Sequence, residues 1–213
     1  GLNSPFSLRS DVGDHMREMH VERITEVVAD LCQRANRYLP EDVIAALRAA
    51  REAETSETAR EMLDQLLRNA AIAAQQGIPL CQDTGLAVVF VDLGQQVHLV
   101  GGALQEAINE GVRRGYEEGY LRKSVVDDPL DRSSNTGDNT PAVVHVRIVP
   151  GDEVTIHVAP KGGGSENMSA LWMLTPAQGR EGVVEAIVGQ VRAAGGKPCP
   201  PLVLGVGLGG SFE

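Results

Sequence analysis

Residues 79–85 read PLCQDTG, so a thiol, an amide, a carboxylate and a hydroxyl (Cys81, Gln82, Asp83, Thr84) crowd into one turn between a proline and a glycine. The proline stiffens the backbone, so the sulfur can stand out of the loop. Cys199 has a similar setting in KPCPPL. Taken alone, each of these thiols suits a structural role as well as a ligand role. Both precede an expected strand, so the two could converge at one end of a sheet. Cys32 is different: it lies beside Leu31 on the apolar side of an expected helix and reads as a small buried hydrophobe. Neither Cys81 nor Cys199 has the C-x-x-C spacing of a zinc site. His145 and His157 fall on polar strand faces and His98 ends another strand, which are surface positions and not those of partner bases. Cysteines far apart in sequence do suit an iron–sulfur cluster held by separate loops. Two are too few for one, and Cys32 has the wrong setting to be the third.

Two glycine runs also carry chemistry-bearing neighbours. In KGGGSEN, three consecutive glycines expose N–H groups that suit an oxyanion, flanked by Lys161, Ser165, Glu166 and Asn167. A flexible loop explains the same residues equally well. The run is not a P-loop, because its lysine precedes the glycines. GVGLGG, residues 205–210, has the G-x-G-x-x-G form. A dinucleotide site also needs a following helix and an acidic residue about 20 positions on. Neither follows Gly210 here, so a close-packing turn is the expectation.

The elements that must position these residues follow from periodicity. Ile24, Val27, Val28, Leu31 and Ala35 share one face of a helix over 18–38. A second helix follows Pro40, with Val43, Ala46 and Leu47 inward. A third starts after the N-cap candidates Thr55 and Ser56 and stops at Gly77, with Pro79 beyond. Residues 86–92 and 97–100 read as a strand pair joined around Gly94. Leu104, Ala107, Ile108, Val112 and Tyr116 mark a helix over 102–119. A polar loop spans 127–141. Residues 142–149 form a strand with Val144, Val146 and Ile148 on one face, and 153–158 is expected to pair with it across Pro150-Gly151. PKGGGSEN is expected as loop, 180–194 as helix and 202–206 as a short buried strand. The fold class is α/β (mixed α+β): an N-terminal helical segment, then a mixed sheet packed with helices.

Composition bounds the rest. In 213 residues, 42% hydrophobic and 23% charged content is that of an ordinary globular chain. A net charge of −10 argues against nucleic acid and anionic membranes as partners. No run approaches a membrane span of about 20 apolar residues, and no signal peptide is evident. Three cysteines without a secretory signal make no disulfide framework and point to a reducing cytoplasm. Residues 1–15 read as an expression-tag remnant with Met16 as the native start, leaving 16–213 as one domain.

Six motifs, PLCQDTG, EAINEGVRRGYEEGYLRKSVVDDPL, NTGDNTPAVVH, PKGGGSENMSAL, AGGKPCPP and GVGLGG, resemble in order and spacing the α part of class I fumarases and L-tartrate dehydratases. The likeness runs from about residue 20 to the end of the chain. It implies a hydro-lyase with an oxygen-sensitive [4Fe–4S] cluster on three cysteines, active with a β subunit in an α2β2 assembly. By this resemblance Cys81 and Cys199 are cluster ligands. Gln82 and Asp83 lie beside the dicarboxylate substrate as catalytic and binding residues, Arg122 holds a carboxylate, and Gly164 approaches the substrate through its backbone. The family's third cysteine is expected past Glu213, so this chain cannot complete the cluster unaided.

The chemistry explains the residue types. Dehydrating malate expels hydroxide and removes a weakly acidic proton next to a carboxylate. A cluster with three thiolate ligands leaves one iron open as a Lewis acid. Arg122 suits the second carboxylate, being always charged and able to grip it through two parallel hydrogen bonds. The expected function is reversible fumarate hydration to L-malate, with L-tartrate dehydration as the alternative. An iron–sulfur sensor or electron carrier would not need QDTG or Arg122, and a nucleotide-binding module would need the acid missing after GVGLGG.

Overall fold

The computed structural model describes residues 16–211. The tag reading of residues 1–15 lies outside them.

The first element is a strand. β1 (Arg17–His20) precedes α1 (Val21–Arg37), so the helix expected from residue 18 starts three residues later. His20 is its N-cap, its Nδ1 accepting the Glu22 N–H at 3.2 Å. The buried face of α1 is also rotated from the apolar pattern. Val21, Ile24, Thr25, Val28, Ala29, Cys32 and Asn36 are buried, while Val27, Leu31 and Ala35 are half-buried. Two polar side chains can occupy this face because the structure satisfies them. Thr25 Oγ1 donates to the Ala107 carbonyl at 2.9 Å, and Asn36 Nδ2 to the Cys32 carbonyl at 2.9 Å.

α2 (Glu41–Ala53) follows Pro40 as expected, but only Leu47 is buried; Val43 is half-buried and Ala46 exposed. α3 (Glu57–Gln76) has the caps its sequence announces. Ser56 Oγ accepts the Ala59 N–H, and Gly77 closes the helix in the left-handed region at φ 66°. Arg51 grips Asp64 through two bonds of 2.9 and 3.2 Å, tying α2 to α3.

β2 (Leu86–Gly94) is the centre of a three-stranded sheet of order β4-β2-β5, with β4 (Val143–Val149) parallel to it and β5 (Val154–Lys161) antiparallel. Both expected hairpins are therefore wrong. β4 and β5 do not pair, because β2 lies between them and their connection passes over its end. There the Gly94, Gln95 and Gln96 N–H groups donate to the carbonyls of Glu153, Val149 and Gly151 at 2.8–2.9 Å. With both edges of β2 taken, β3 (Val97–Val100) pairs instead with β1, in parallel.

α4 (Leu104–Glu118) matches its predicted face, burying Ala107, Ile108, Val112 and Tyr116. It packs on α1 along Gly111 and Gly115, where an added Cβ would lie 2.7 Å from the carbonyl oxygens of Thr25 and Ala29. Close backbone approach needs glycine at these two positions. The two helices cover the inner face of the sheet, forming a core of Ile24, Val28, Cys32, Val89, Val91, Ile108, Val112 and Tyr116. Cys32 is thus the core hydrophobe its sequence implies. On β4, Val144 packs against this core, but Val146 and Ile148 on the same face are 49% and 69% exposed.

PKGGGSEN is more than a loop: Gly163–Glu166 form a single helical turn, α5. α6 (Gly179–Ala194) matches the expected helix and buries only Ala194. The expected strand over 202–206 is irregular and exposed, Val203 by 96%. Apolar β-branched residues make a strand only where a sheet edge receives them, and no described strand pairs with this one. The GVGLGG run does not pack closely either. Added Cβ atoms at its glycines would meet nothing within 4 Å, although Gly209 and Gly210 hold positive φ.

Candidate functional site

The PLCQDTG turn connects the C-terminus of α3 to the start of β2. The Leu80 N–H donates to the Asn36 carbonyl at 2.8 Å, and Asn69 Nδ2 to the Leu80 carbonyl at 2.8 Å. Beyond this anchor Cys81 and Gln82 are exposed, with the Cys81 thiol 3.7 Å from Gln82 Oε1 as donor. Thr84 turns inward and is buried.

Asp83 joins this turn to the glycine run. Its Oδ1 accepts the Gly85 N–H at 3.2 Å, and its Oδ2 accepts the Gly163 N–H at 2.9 Å, capping the first turn of α5 across 80 residues of sequence. The approach is close on both sides. At Gly85, where φ is +65°, a Cβ would stand 2.3 Å from the Lys161 carbonyl oxygen. At Gly164 it would stand 3.0 Å from the carbonyl oxygen of Lys197, two residues before Cys199. The turns bearing the two exposed cysteines therefore both touch the 162–164 segment. Lys161 is committed locally, its Nζ 2.9 Å from Ser165 Oγ and 3.0 Å from Glu166 Oε2.

Arg122 follows α4 by four residues. Its carbonyl accepts the Thr84 hydroxyl at 3.1 Å, which sets its backbone beside the turn. The guanidinium is exposed and makes no hydrogen bond or ion pair among the described residues. By contrast, Arg113 and Arg114 are both bound to Glu110, Arg113 also to Asp138, and Arg147 grips Asp92. Arg122 thus keeps its guanidinium donors free among the described residues, while its backbone is bonded to the cysteine-bearing turn.

The sequence did not reveal what holds these parts together. Tyr116 marks the buried face of α4 in the apolar pattern, yet its hydroxyl donates to the carbonyls of Thr84 at 2.8 Å and Gly85 at 3.2 Å. Burial, foremost, raises the Tyr116 pKa well above the usual phenol value, so the group remains a donor. Asn139, fully buried, accepts the Ser124 N–H on Oδ1 at 2.6 Å and donates from Nδ2 to the Gly85 carbonyl at 3.2 Å. The one available signal was its place in NTGDNTP, a polar run too dense for a plain connector.

The cysteines divide as donors. Cys81 and Cys199 are exposed free thiols, and Cys199 holds φ +59°, a conformation uncommon outside glycine. Cys199 precedes no strand, so convergence at a sheet end is not its route to the site; its turn reaches the glycine segment instead. Exposed thiols on turns that both reach the glycine segment are of the donor type that a cluster takes. Cys32 does not fit, since burial pushes its thiol up to about 12 and the core encloses it. Among the described residues no three His, Cys, Asp or Glu side chains group as a metal site. Nor is any described helix long and apolar enough to cross a membrane.

Residues 25–213 match the family described as fumarate hydratase (Fumerase). A protein of Methanocaldococcus jannaschii named "Putative L(+)-tartrate dehydratase subunit alpha" is 42% identical over 196 residues, covering 90% of this chain and 68% of the relative. The L(+)-tartrate dehydratase subunit alpha of Escherichia coli K12 is 30% identical over 199 residues, covering 92% of this chain and 65% of the relative. The chain thus spans about two thirds of the length of these relatives.

Proposed function

The chain belongs to the fumarate hydratase family of hydro-lyases, and from that premise we propose that it is the α subunit of an iron–sulfur hydro-lyase that dehydrates L-tartrate. The observation that carries the reading is Arg122, a bare guanidinium whose backbone is bonded to the PLCQDTG turn. The sequence ranked fumarate first; the names of the relatives favour tartrate. Reversible hydration of fumarate is the second reading, supported by the family description.

In this reading Cys81 and Cys199 hold two positions of a [4Fe–4S] cluster, and the third thiolate comes from outside the described residues. The bound cluster supplies a Lewis acid for the departing hydroxyl. Arg122 receives the far carboxylate through two parallel N–H···O bonds, orienting the carbon that loses its proton. The Gln82 amide, exposed at the turn, reaches a substrate oxygen. Asp83 keeps the turn against Gly163 while its remaining lone pairs face a substrate hydroxyl. Gly164 lets the substrate approach the backbone.

The relatives' names include the words subunit alpha, which supports a β partner that completes the site, in an α2β2 assembly. Free thiols at Cys81 and Cys199 and an oxygen-sensitive cluster suit a reducing cytoplasm. The test is kcat/KM of the complete enzyme, this chain with its partner, on L-tartrate and on fumarate. A higher value for L-tartrate supports the proposal. A higher value for fumarate restores the second reading, and turnover of neither removes both.

A further inference from the structure

We propose that Asn139 is the positioning residue that sets Arg122 against the PLCQDTG turn, and that affinity for the dicarboxylate depends on it. The proposal rests on the reading of Arg122 as a carboxylate ligand. One rigid amide bridges two segments: Oδ1 takes the N–H of Ser124, two residues after Arg122, and Nδ2 gives to the carbonyl of Gly85, two residues after Asp83. The Thr84 hydroxyl then reaches the Arg122 carbonyl at 3.1 Å, and the Tyr116 hydroxyl the Thr84 carbonyl at 2.8 Å, closing a partly buried ring of bonds.

The base of this pin is itself fixed. On one side Asp138 Oδ2 accepts from Arg113 Nε at 3.0 Å, while its Oδ1 accepts from the backbone and hydroxyl of Thr140 at 2.9 and 2.7 Å. On the other side the Ala142 N–H donates to Asn109 Oδ1 at 3.0 Å. Arg113 and Asn109 both stand on α4, so Asn139 is referenced to the helix that packs the core.

Two costs mark the position as more than packing. A fully buried amide is unfavourable unless every polar atom is satisfied, and Asn139 holds φ +63°, which a side chain rarely adopts. An apolar residue could fill the volume without burying an amide, but it would bear a larger backbone cost at this φ and could not fix two backbone segments to each other. Asparagine is among the few side chains that tolerate this φ and carry both a donor and an acceptor.

The test is Asn139→Gly in the complete enzyme. Glycine accepts the backbone conformation, so the substitution removes the two bonds and the side-chain volume without adding backbone strain. We expect unchanged iron and sulfide content, with KM raised about tenfold to a hundredfold and kcat less affected. Combined with Arg122→Ala, Asn139→Gly should add nothing, because the pin acts through Arg122. An unchanged KM, or an effect that multiplies with that of Arg122→Ala, overturns the proposal. If Arg122→Ala leaves KM unchanged, the carboxylate reading fails separately. Amide hydrogen exchange then decides the pin. Faster exchange at 84–85 and 122–125, with 89–91 and 108–116 unaltered, supports it; unaltered exchange at all four segments overturns it.

Discussion

Gly85→Ala tests the close approach that forms the site, and Gly77→Ala supplies its control. Both glycines hold nearly the same backbone conformation, φ +65° and +66°. An alanine in this region costs about 1–2 kcal/mol at either position. The positions differ only in their surroundings. A Cβ at Gly77 meets nothing within 4 Å, whereas at Gly85 it meets the Lys161 oxygen at 2.3 Å, the Lys161 carbonyl carbon at 2.4 Å and the Gly162 nitrogen at 2.8 Å. Those are backbone atoms at the end of β5, so relief requires moving the strand end that carries the 162–164 segment. Overpacking of this kind costs about 1–3 kcal/mol, which puts Gly85→Ala at about 2–5 kcal/mol and Gly77→Ala at about 1–2 kcal/mol. Urea unfolding with equal m-values reads the difference from the two midpoints. Gly85→Ala should also weaken the Asp83–Gly163 bond, visible as faster exchange of the Gly163 amide. Equal destabilisation by the two substitutions would refute the close approach of the PLCQDTG turn to the glycine segment.

Arg122→Lys keeps the charge and loses the fork, so kcat/KM of the complete enzyme should fall about 10- to 150-fold at full cluster content; near-normal kcat/KM would leave Arg122 without a substrate role. Asp138 gives the acid limb of stability a specific component. Burial works against its ionisation, but hydrogen bonds from Thr140 and the Arg113 guanidinium outweigh it and hold the carboxyl at about 2. A lowered folded pKa means stability that is present above the unfolded value, near 3.8, and lost as pH falls towards 2. The contribution is at most about 2 kcal/mol, since the group is partly exposed. Asp138→Asn should flatten the stability profile between those pH values, and an unaltered profile would contradict the assignment.

Much of the architecture was legible because local physics determines it. Ser56 and Gly77 bound α3 as capping chemistry requires, and the apolar spacing from Leu104 to Tyr116 located the buried face of α4. Strand pairing was not legible. Val143–Val149 and Val154–Lys161 lie either side of a turn-like Pro150-Gly151, and only the insertion of β2 between them prevents a hairpin. That depends on contacts more than 50 residues apart, to which short-range turn chemistry is blind. The face of α1 was misjudged for a related reason: Thr25 and Asn36 are polar by type but find partners inside. At the site, the sequence marked the exposed Cys81, Gln82, Arg122 and Cys199 and the half-buried Asp83. It did not mark their supports. Tyr116 served the apolar pattern equally well, and Asn139 acquires its meaning only from Ser124 and Gly85, which the fold brings to it.

The proposed division of the cysteines into two exposed cluster ligands and one core residue is tested most directly by cluster content. Iron and acid-labile sulfide are measured after anaerobic reconstitution of the complete enzyme and of its Cys81→Ser, Cys199→Ser and Cys32→Ala forms. Cys81→Ser and Cys199→Ser should each lose the cluster, whereas Cys32→Ala, a change within the core at a thiol pushed up to about 12 by burial, should retain it. Full iron and sulfide in either serine variant, or their loss in folded Cys32→Ala, would contradict the account.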